Sequence, residues 1–448
     1  MRINITKKIK LNAVQVLALG FFIVILIGGI LLTLPISSKS GESTNFLDSL
    51  FTATTSVCVT GLITVDTGTH WSYFGQVIIM LLIEVGGLGF MSFATLIAIL
   101  IGKKITLKER LLMQEALNTF NIQGMVRMVR YVLVFTFSVQ ILGALLYSTQ
   151  FIPMFGLGKG IYYSIFHSIS AFNNAGIDLF GHFQSLTHYS GNFVIILTTS
   201  ALIIIGGLGF TVWAEVYNFK GFRKFSLHSK LVIMMTSILL VGGTILFFLF
   251  EYKNPSTLGP MDFKDKLLNA FFASVTPRTA GFNSIPTDGM TMAGRFLTIL
   301  FMFIGGSPGS TAGGLKTVTF GILILTFISI IKGREDTEVF YKRIPRGVVR
   351  RSMALFIIAV GLIIMVAMIL SITEVGATFE EIIYEVVSAF GTVGLTLGLT
   401  TKLTSIGKIL IILTMYCGRV GPLTIALALT NKKNNNGIKY PEGKILVG

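Results

Sequence analysis

The chain has 448 residues, of which 52% are hydrophobic and only 12% are charged, and its mean hydropathy is +0.79. Soluble domains carry about 25% charged residues, so this composition excludes an ordinary soluble protein and indicates an integral membrane protein. The net charge of +16 would suit a nucleic-acid partner, but the distribution of the basic residues along the chain argues against one.

Apolar stretches long enough to cross hydrocarbon, which takes about 20 residues, recur along the chain. The first follows four basic residues near the N-terminus. It is far longer than the apolar core of a signal peptide, so we expect a retained span. The candidate spans are 11–38, 67–102, 131–158, 179–214, 231–250, 296–315, 352–373 and 409–429.

Four shorter apolar segments alternate with these spans. A helix of about 12 residues is too short to cross a bilayer and fits a re-entrant half-helix better. The segments are 46–57, 161–172, 267–276 and 379–390. The sequence therefore predicts an all-α membrane protein with four units of span, half-helix and span, which gives eight transmembrane helices and four re-entrant pore helices.

The basic residues concentrate in the loops between units and at both ends of the chain. Five segments hold 25 of the 36 Lys and Arg residues but only 7 of the 20 acidic ones: 1–10, 101–130, 214–230, 331–351 and 431–448. Loops rich in Lys and Arg stay in the cytoplasm, so we predict that both termini are cytoplasmic. A secondary role of these loops in contacting anionic lipid or a cytosolic partner fits the same charge.

A similar motif follows each half-helix. The four motifs are SVCVTGL (56–62), SAFNNAGI (170–177), SVTPRTAGF (274–282) and SAFGTVGL (388–395). Their shared glycines are 115, 105 and 113 residues apart. Self-similarity at a nearly fixed period indicates structural repeats. We therefore predict four copies of one unit around a shared, pseudo-fourfold ion pathway.

Main-chain oxygens can replace the water around a potassium ion. Several successive carbonyls point at one axis only in unusual backbone conformations, which glycine permits. The half-helix also directs the negative end of its dipole at the cation. We predict a potassium selectivity filter formed by the backbone carbonyls of Val59, Thr60, Gly61, Asn174, Ala175, Gly176, Thr279, Ala280, Gly281, Thr392, Val393 and Gly394.

The second span of each unit contains a glycine cluster. In 84–90 and 204–210 we expect glycines that allow close helix packing. The third cluster, 305–314, contains five glycines and a proline and cannot remain helical. Irregular backbone at this depth in a membrane must be buried in protein or line a water-filled cavity. We predict an intramembrane gate below the filter with its polar atoms facing the cavity. Its residues are Gly305, Gly306, Ser307, Pro308, Gly309, Ser310, Thr311, Ala312, Gly313, Gly314, Lys316 and Arg419.

Ionisable residues within membrane segments are functional candidates. Arg419 stands where the other three units have glycine, and we expect it to bind carbonyls of the broken segment or to form an electrostatic barrier. Lys316 closes that segment and is expected to cap freed carbonyls. Glu84 either pairs with a basic group or is protonated. Arg278 lies in the third motif and is expected to reach the outer mouth of the pore.

These residues resemble the potassium-transporting membrane subunit of the bacterial Ktr system, within the Trk/Ktr/HKT superfamily. The resemblance covers nearly the whole chain and includes the intramembrane segment GGSPGSTAGGLK (305–316), the motif GRVGPLT (418–424) and the tail KYPEGKILVG (439–448). It implies potassium rather than sodium selectivity, because serine replaces the residue at Gly61 in sodium-favouring members. It also implies a homodimer in the cell membrane, gated by a cytosolic ring of nucleotide-binding (RCK-type) subunits, with Na⁺ as an activator.

The predicted organisation has five parts. They are 1–102 (repeat 1), 103–214 (cytoplasmic loop and repeat 2), 215–331 (cytoplasmic loop and repeat 3, whose second span is broken at 305–314), 332–430 (cytoplasmic loop and repeat 4) and 431–448 (cytoplasmic tail). The sequence has no dinucleotide fingerprint after a strand and no Walker A motif, so we expect no cofactor in this chain and assign nucleotide binding to the partner.

Three alternatives have different mechanisms. A secondary carrier with broken helices would bind its substrate at the bilayer midplane, but such carriers have repeats of several spans. A sodium-permeable member of the same superfamily would share the whole architecture. An intramembrane enzyme would need a nucleophile with its base, paired acids or metal ligands, and the five scattered histidines and isolated Glu84 do not provide them. We therefore predict a transporter and not an enzyme.

Overall fold

The structure is a computed structural model that describes residues 13–89, 91–92, 95, 110–111, 113–114, 125–217, 219 and 221–421. Within these residues the chain is mostly α-helical, as predicted, and one two-stranded hairpin accompanies the helices. Predictions for the N-terminal segment 1–10, the end of the last span (422–430) and the tail 431–448 lie outside the described residues.

The helices follow one another with short connections. In chain order they are α1 (Ala13–Thr33), α2 (Phe46–Val57), α3 (Tyr73–Leu88), α4 (Met125–Phe155), α5 (Leu157–Phe172), α6 (Phe193–Leu208), α7 (Phe210–Tyr217), α8 (Leu227–Glu251), α9 (Phe263–Val275), α10 (Met292–Phe303), α11 (Thr317–Ile331), α12 (Arg346–Thr373), α13 (Phe379–Gly391) and α14 (Ser405–Val420). A single helical turn spans Thr67–His70, and 3₁₀ turns span Pro35–Ser37, Thr187–Tyr189, Phe222–Lys224 and Thr400–Lys402. The hairpin pairs β1 (Glu338–Val339) with β2 (Lys342–Arg343).

Four of the described helices, α1, α4, α8 and α12, are long and apolar enough to cross a membrane. Together α6 and α7 form a fifth candidate whose two halves are bent by 97°. Helices α3, α10 and α11 are apolar but shorter. Several apolar helices thus agree with a membrane protein, while the number of eight full spans stays a prediction.

Short helices follow the four long ones. Helix α2 has the predicted bounds, α5 and α9 begin four residues before the predicted segments, and α13 ends one residue later than predicted. The Asn45 side chain caps α2 by accepting from Leu47 N at 2.8 Å, and Thr378 and Glu381 form a capping box on α13. Every residue of 51–57 is buried. A capped start and a buried end direct the C-terminus of α2 into the protein.

The helices close into a ring. Each short helix packs on the long helix before it and on a helix from a neighbouring part of the chain: α2 contacts α14, α5 contacts α3, α9 contacts α6, and α13 contacts α10. One cluster of buried apolar side chains joins α1, α2 and α3 to α12, α13 and α14. The last described helix therefore packs against the first short one.

The same polar contact occurs at two places around this ring. The Glu251 carboxylate at the end of α8 accepts from Thr291 N at 2.9 Å and from Thr291 Oγ1 at 2.7 Å. At the end of α12 the Glu374 carboxylate accepts from Thr404 N at 3.0 Å and from Thr404 Oγ1 at 2.7 Å. Thr291 is the N-cap of α10 and Thr404 is the N-cap of α14. Glu251 therefore fixes where α10 begins, and Glu374 fixes where α14 begins.

Two adjacent glycines in α8 provide a test of the helix packing. A Cβ atom on Gly243 would overlap the Phe301 ring and Ser274 Oγ, whereas one on Gly242 would have open space. Both substitutions give the same gain in helix propensity. We expect Gly243→Ala to lower the apparent Tm in detergent, because overpacking costs about 1–3 kcal/mol. Gly242→Ala should leave it unchanged or slightly raised. Equal effects of the two substitutions on thermal unfolding would contradict this packing.

Candidate functional site

Beyond each short helix the chain continues as a strip of three residues. The four strips are 59–61, 174–176, 279–281 and 392–394, and all their residues except Gly394 are buried. They lie more than 100 residues apart in the sequence, and the structure brings them into contact with one another. These are the twelve residues predicted to form the filter.

The contacts between the strips are cyclic. Each strip glycine lies so close to the next strip that a Cβ atom on it would overlap a carbonyl oxygen there. The pairs are Gly61 with Ala175, Gly176 with Ala280, Gly281 with Val393, and Gly394 with Thr60. The fourth strip thus returns to the first. In the described part of the chain these four carbonyl oxygens accept no hydrogen bond.

The backbone of the strips is unusual at two positions in each. The glycines have φ values of +94°, +67°, +78° and +96°, in chain order. Two residues earlier, φ is also positive at Val59 (51°), Asn174 (60°), Thr279 (74°) and Thr392 (51°). For β-branched residues such values are true outliers, which persist only where the surrounding structure enforces them, often at functional sites. Alternating conformations of this kind turn successive carbonyls toward the same side.

Hydrogen bonds to the helix ends hold the strips in place. Thr60 N donates to Thr55 O at 2.8 Å, and Gly61 N donates to Thr55 Oγ1 at 2.9 Å. The second and fourth strips use Ser170 O (2.8 Å) and Ser388 O (2.9 Å) in the same way. In the third strip the equivalent donor bonds Thr276 O at 3.0 Å instead. The N–H group of the middle residue of each strip is therefore bonded to the end of its short helix, whereas the carbonyl oxygen of that residue stays available.

A cavity of about 690 Å³ lies directly against the four strip glycines. Its other walls include the carboxylate-bearing residues Asp178 and Asp288 and the hydroxyl residues Thr287, Thr396 and Thr400. Acidic residues in the cavity wall beside the ring favour the approach of cations. Our sequence interpretation did not single out these carboxylates, although Asp178 lies only two positions beyond Gly176.

The glycine clusters of the second spans have two roles. Gly86, Gly206 and Gly418 pack directly against the backbone before the strips, because a Cβ atom there would overlap the carbonyl oxygens of Val57, Phe172 and Phe390, respectively. This is the predicted role in close packing. Helices α3, α6 and α14 end at Gly89, Gly209 and Gly421, which lie within the predicted spans 67–102, 179–214 and 409–429. All three glycines have positive φ, which ends a helix.

The predicted intramembrane segment, 305–314, is non-helical and separates α10 from α11. It is bound to the end of α6: Ser307 N donates to Gly207 O at 3.0 Å, and Phe210 N donates to Gly309 O at 2.9 Å. Thr311 Oγ1 donates to Phe172 O at 3.3 Å. The expectation that the polar atoms face a cavity is wrong for Ser307 and Thr311, whose buried hydroxyls have hydrogen-bond partners in the protein.

Arg419 links this segment to α3. Its Nη1 donates to Thr311 O, and its Nη2 donates to Gly86 O and, at 3.1 Å, to Gly87 O. Lys316 Nζ donates to Ala312 O at 2.6 Å. Both cations therefore occupy carbonyls left free where helices are interrupted, so the geometry agrees with the hydrogen-bonding roles expected from the sequence.

The other two ionisable candidates lie behind the strips. Glu84 accepts from the side chains of Gln140 and Asn173, neither of which our sequence interpretation had singled out. The expectation that Arg278 reaches the outer mouth is wrong. Its side chain is buried, and its Nη2 lies 3.5 Å from Thr236 Oγ1 on α8. The position of Asn173 inside the motif 170–177 was the only sequence signal for this residue.

Unbonded carbonyl oxygens arranged in a ring can replace the hydration shell of a cation, so fold and site together define a membrane cation transporter. A family profile described as a cation transport protein, TrkH, matches residues 11–438. The chain belongs to this family, and the resemblance inferred from its motifs is confirmed. The prediction that it is not an enzyme is confirmed as well, because the family is one of ion transporters.

Similar proteins cover the whole chain. The potassium/sodium uptake protein NtpJ of Enterococcus hirae is 48% identical over 444 residues, which are 98% of each chain. The Ktr system potassium uptake protein B of Bacillus subtilis is 42% identical over 99% of each chain. The crystal structure of the potassium transporter TrkH from Vibrio parahaemolyticus matches with a TM-score of 0.73 and 18% identity, covering 96% of this chain and 87% of that one. This likeness supports the fold.

Two glycines with the same φ of +96° test the contact between strips. A Cβ atom on Gly394 would overlap Thr60 O, whereas one on Gly398 would meet nothing within 4 Å. Both alanine substitutions carry the same backbone strain, about 1–2 kcal/mol. We expect Gly394→Ala to reduce cation uptake at least ~10-fold, because a shift of one strip costs more than 1.4 kcal/mol. Gly398→Ala should transport nearly normally. Similar uptake by both variants, at equal membrane expression, would argue against the ring.

Proposed function

We propose that the chain is the membrane subunit of a Ktr-type potassium-uptake system and that its four strips form the selectivity filter. The cyclic contact of the strips, with four unbonded carbonyl oxygens, supports this proposal most directly. The similar proteins named for potassium uptake support the choice of ion. Uptake is driven by the membrane potential, which contributes about 2.3 kcal/mol per charge per 100 mV.

The finer architecture belongs to the same proposal. The chain has four tandem repeats, each with a first span, a re-entrant pore helix and a second span, around a pseudo-fourfold pore. Helices α1, α4, α8 and α12 are the first spans, and α2, α5, α9 and α13 are the pore helices. The order of the described helices and their ring of contacts support this arrangement. Both termini are cytoplasmic, and the protein lies in the cell membrane.

The segment 305–314, with Lys316 and Arg419, is the gate of this pathway. It binds the backbone at the base of the second strip through Thr311, and Gly313 lies against the Thr392 side chain of the fourth strip. A non-helical segment that is held by hydrogen bonds to the ends of neighbouring helices can change position without unfolding those helices. Arg419 holds it closed through the carbonyl of Thr311.

Two protein partners complete the system: a second copy of the chain, forming a homodimer, and a cytosolic nucleotide-binding ring that controls the gate. The resemblance to Ktr membrane subunits supports both. A sodium-permeable transporter is the second candidate function. Sodium also has a separate proposed role as an activator of potassium uptake. The name of the Enterococcus hirae relative, which includes sodium, favours keeping these options in the test.

The proposed function is tested by complementation of a bacterium that lacks its own potassium uptake. We expect the chain, together with a regulatory ring, to restore growth on low potassium. Gly61→Ser should lose this rescue or admit sodium, because a side chain at Gly61 enters the contact with Ala175 O. Absence of rescue by the expressed, unmutated chain with its ring would contradict potassium uptake. Sodium uptake equal to potassium uptake would instead favour the sodium-permeable alternative.

The gate is tested at Arg419. We expect Arg419→Ala to raise potassium flux in the absence of the ring several-fold, because each charge-assisted hydrogen bond to the carbonyls contributes about 1.5–3 kcal/mol. Potassium-to-sodium selectivity should stay unchanged, since Arg419 contacts no strip residue among its recorded bonds. Arg350→Ala, at an exposed position, is the control. Unaltered flux through Arg419→Ala would refute its role as a latch.

A further inference from the structure

Glu84 is a buried carboxyl group behind the second strip. It belongs to α3, and its side chain is buried with the residue only 6% exposed. Its Oε2 accepts from Gln140 Nε2 on α4 at 2.8 Å and from Asn173 Nδ2, directly before the second strip, at 2.7 Å. One carboxyl oxygen therefore joins two helices to the residue that precedes Asn174, where the backbone has positive φ.

The side chains of Glu84, Gln140 and Asn173 lack one hydrogen-bond donor. Glu84 Oε1 is buried and has no partner, and Asn173 Oδ1 is likewise buried without a partner. The Asn173 amide cannot be reversed to correct this, because its Nδ2 donates both to Glu84 Oε2 and to Ile169 O at 3.0 Å. Gly87 packs against Oδ1 so closely that a Cβ atom would overlap it. The two acceptors without a partner thus belong to the same pair of hydrogen-bonded side chains.

Among the described residues, Glu84 forms no ion pair. Arg419, which reaches α3 from α14, donates to the carbonyl oxygens of Gly86 and Gly87. The groups contributed by α4 and by the end of α5 are the neutral amides of Gln140 and Asn173. A buried carboxylate without a counter-charge lowers the stability of the fold. A bound metal cation such as sodium or calcium does not fit here either, because it prefers roughly six oxygens and only Glu84 Oε1 and Asn173 Oδ1 have no partner.

We propose that Glu84 is a neutral carboxylic acid whose Oε1–H donates to Asn173 Oδ1, so that the two side chains form an acid–amide pair with two hydrogen bonds. A single proton satisfies both orphaned acceptors. Glu84 is then a positioning residue: it holds the second strip through Asn173 without placing a negative charge behind the filter. This inference rests on the proposed function only for its transport readout.

Glutamine is the test substitution, because its amide has the shape of a protonated glutamate and donates from the same position. In the uptake assay described above, we expect Glu84→Gln to transport potassium at the unmutated rate, with the same dependence on pH. Glu84→Ala should lose about tenfold or more, since it removes the side-chain acceptor of Gln140 Nε2 and one of the two acceptors of Asn173 Nδ2. Glu42→Gln, at an exposed position, controls for the loss of one carboxyl group. A loss in Glu84→Gln as large as in Glu84→Ala would overturn the proposal.

Infrared spectroscopy of the purified full chain tests whether the Glu84 carboxyl group is protonated, and it needs no transport measurement. The carbonyl stretch of a protonated, hydrogen-bonded carboxylic acid should be present in the unmutated protein and missing from Glu84→Gln at neutral pH. If the difference spectrum shows the bands of a carboxylate instead, the proposal is wrong. Failure of the unmutated chain to support uptake would contradict the proposed function, while the infrared result would still decide the state of Glu84.

Discussion

The geometry of the site depends on one backbone constraint: four strips must meet so closely that each strip glycine lies against a carbonyl oxygen of the next strip. Each strip satisfies this constraint with two residues at positive φ: a glycine and a non-glycine residue two positions earlier. Three of the non-glycine residues are β-branched, and such backbone is stable only if the surroundings enforce it. The short helices provide the enforcement, because their final turns accept the N–H groups of the strips.

The surrounding helices are arranged around this constraint. Glycines Gly86, Gly206 and Gly418 let the second helices approach the backbone that leads into three of the strips. Soon afterwards each of these helices ends at another glycine with positive φ. The interrupted helices expose carbonyls inside the protein, and such groups require partners. Arg419 supplies donors to two interruptions at once, which explains why a charged side chain is tolerated there.

The predicted third repeat, 215–331, differs most from the other three predicted repeats. In place of a simple helix end it has a ten-residue non-helical segment, 305–314, bonded to the end of α6. The third strip is also anchored differently, through Thr276 O, and it is preceded by the buried Arg278. The predicted repeat that differs from the others thus contains the segment that we propose to move. The strips of the other three predicted repeats are held by the same kind of hydrogen bond to their short helices.

Features repeated in the sequence could be predicted, and contacts between distant segments could not. The strip motifs and the proline- and glycine-rich segment 305–314 carry local signals, because few other folds use such residues inside a membrane. The end of α6 at Gly209 was missed because a glycine cluster indicates close packing as well as a break. The bond between Glu84 and Asn173 joins residues 89 positions apart, and no local pattern reports it.

The central claim is that the four carbonyl oxygens of Thr60, Ala175, Ala280 and Val393 surround one ion on a common axis. The most direct measurement is anomalous diffraction from crystals of the protein grown with rubidium, which substitutes for potassium. The account predicts an anomalous peak enclosed by these four residues and its loss when rubidium is exchanged for sodium. Strong rubidium peaks elsewhere in the protein, with none between the strips, would contradict it.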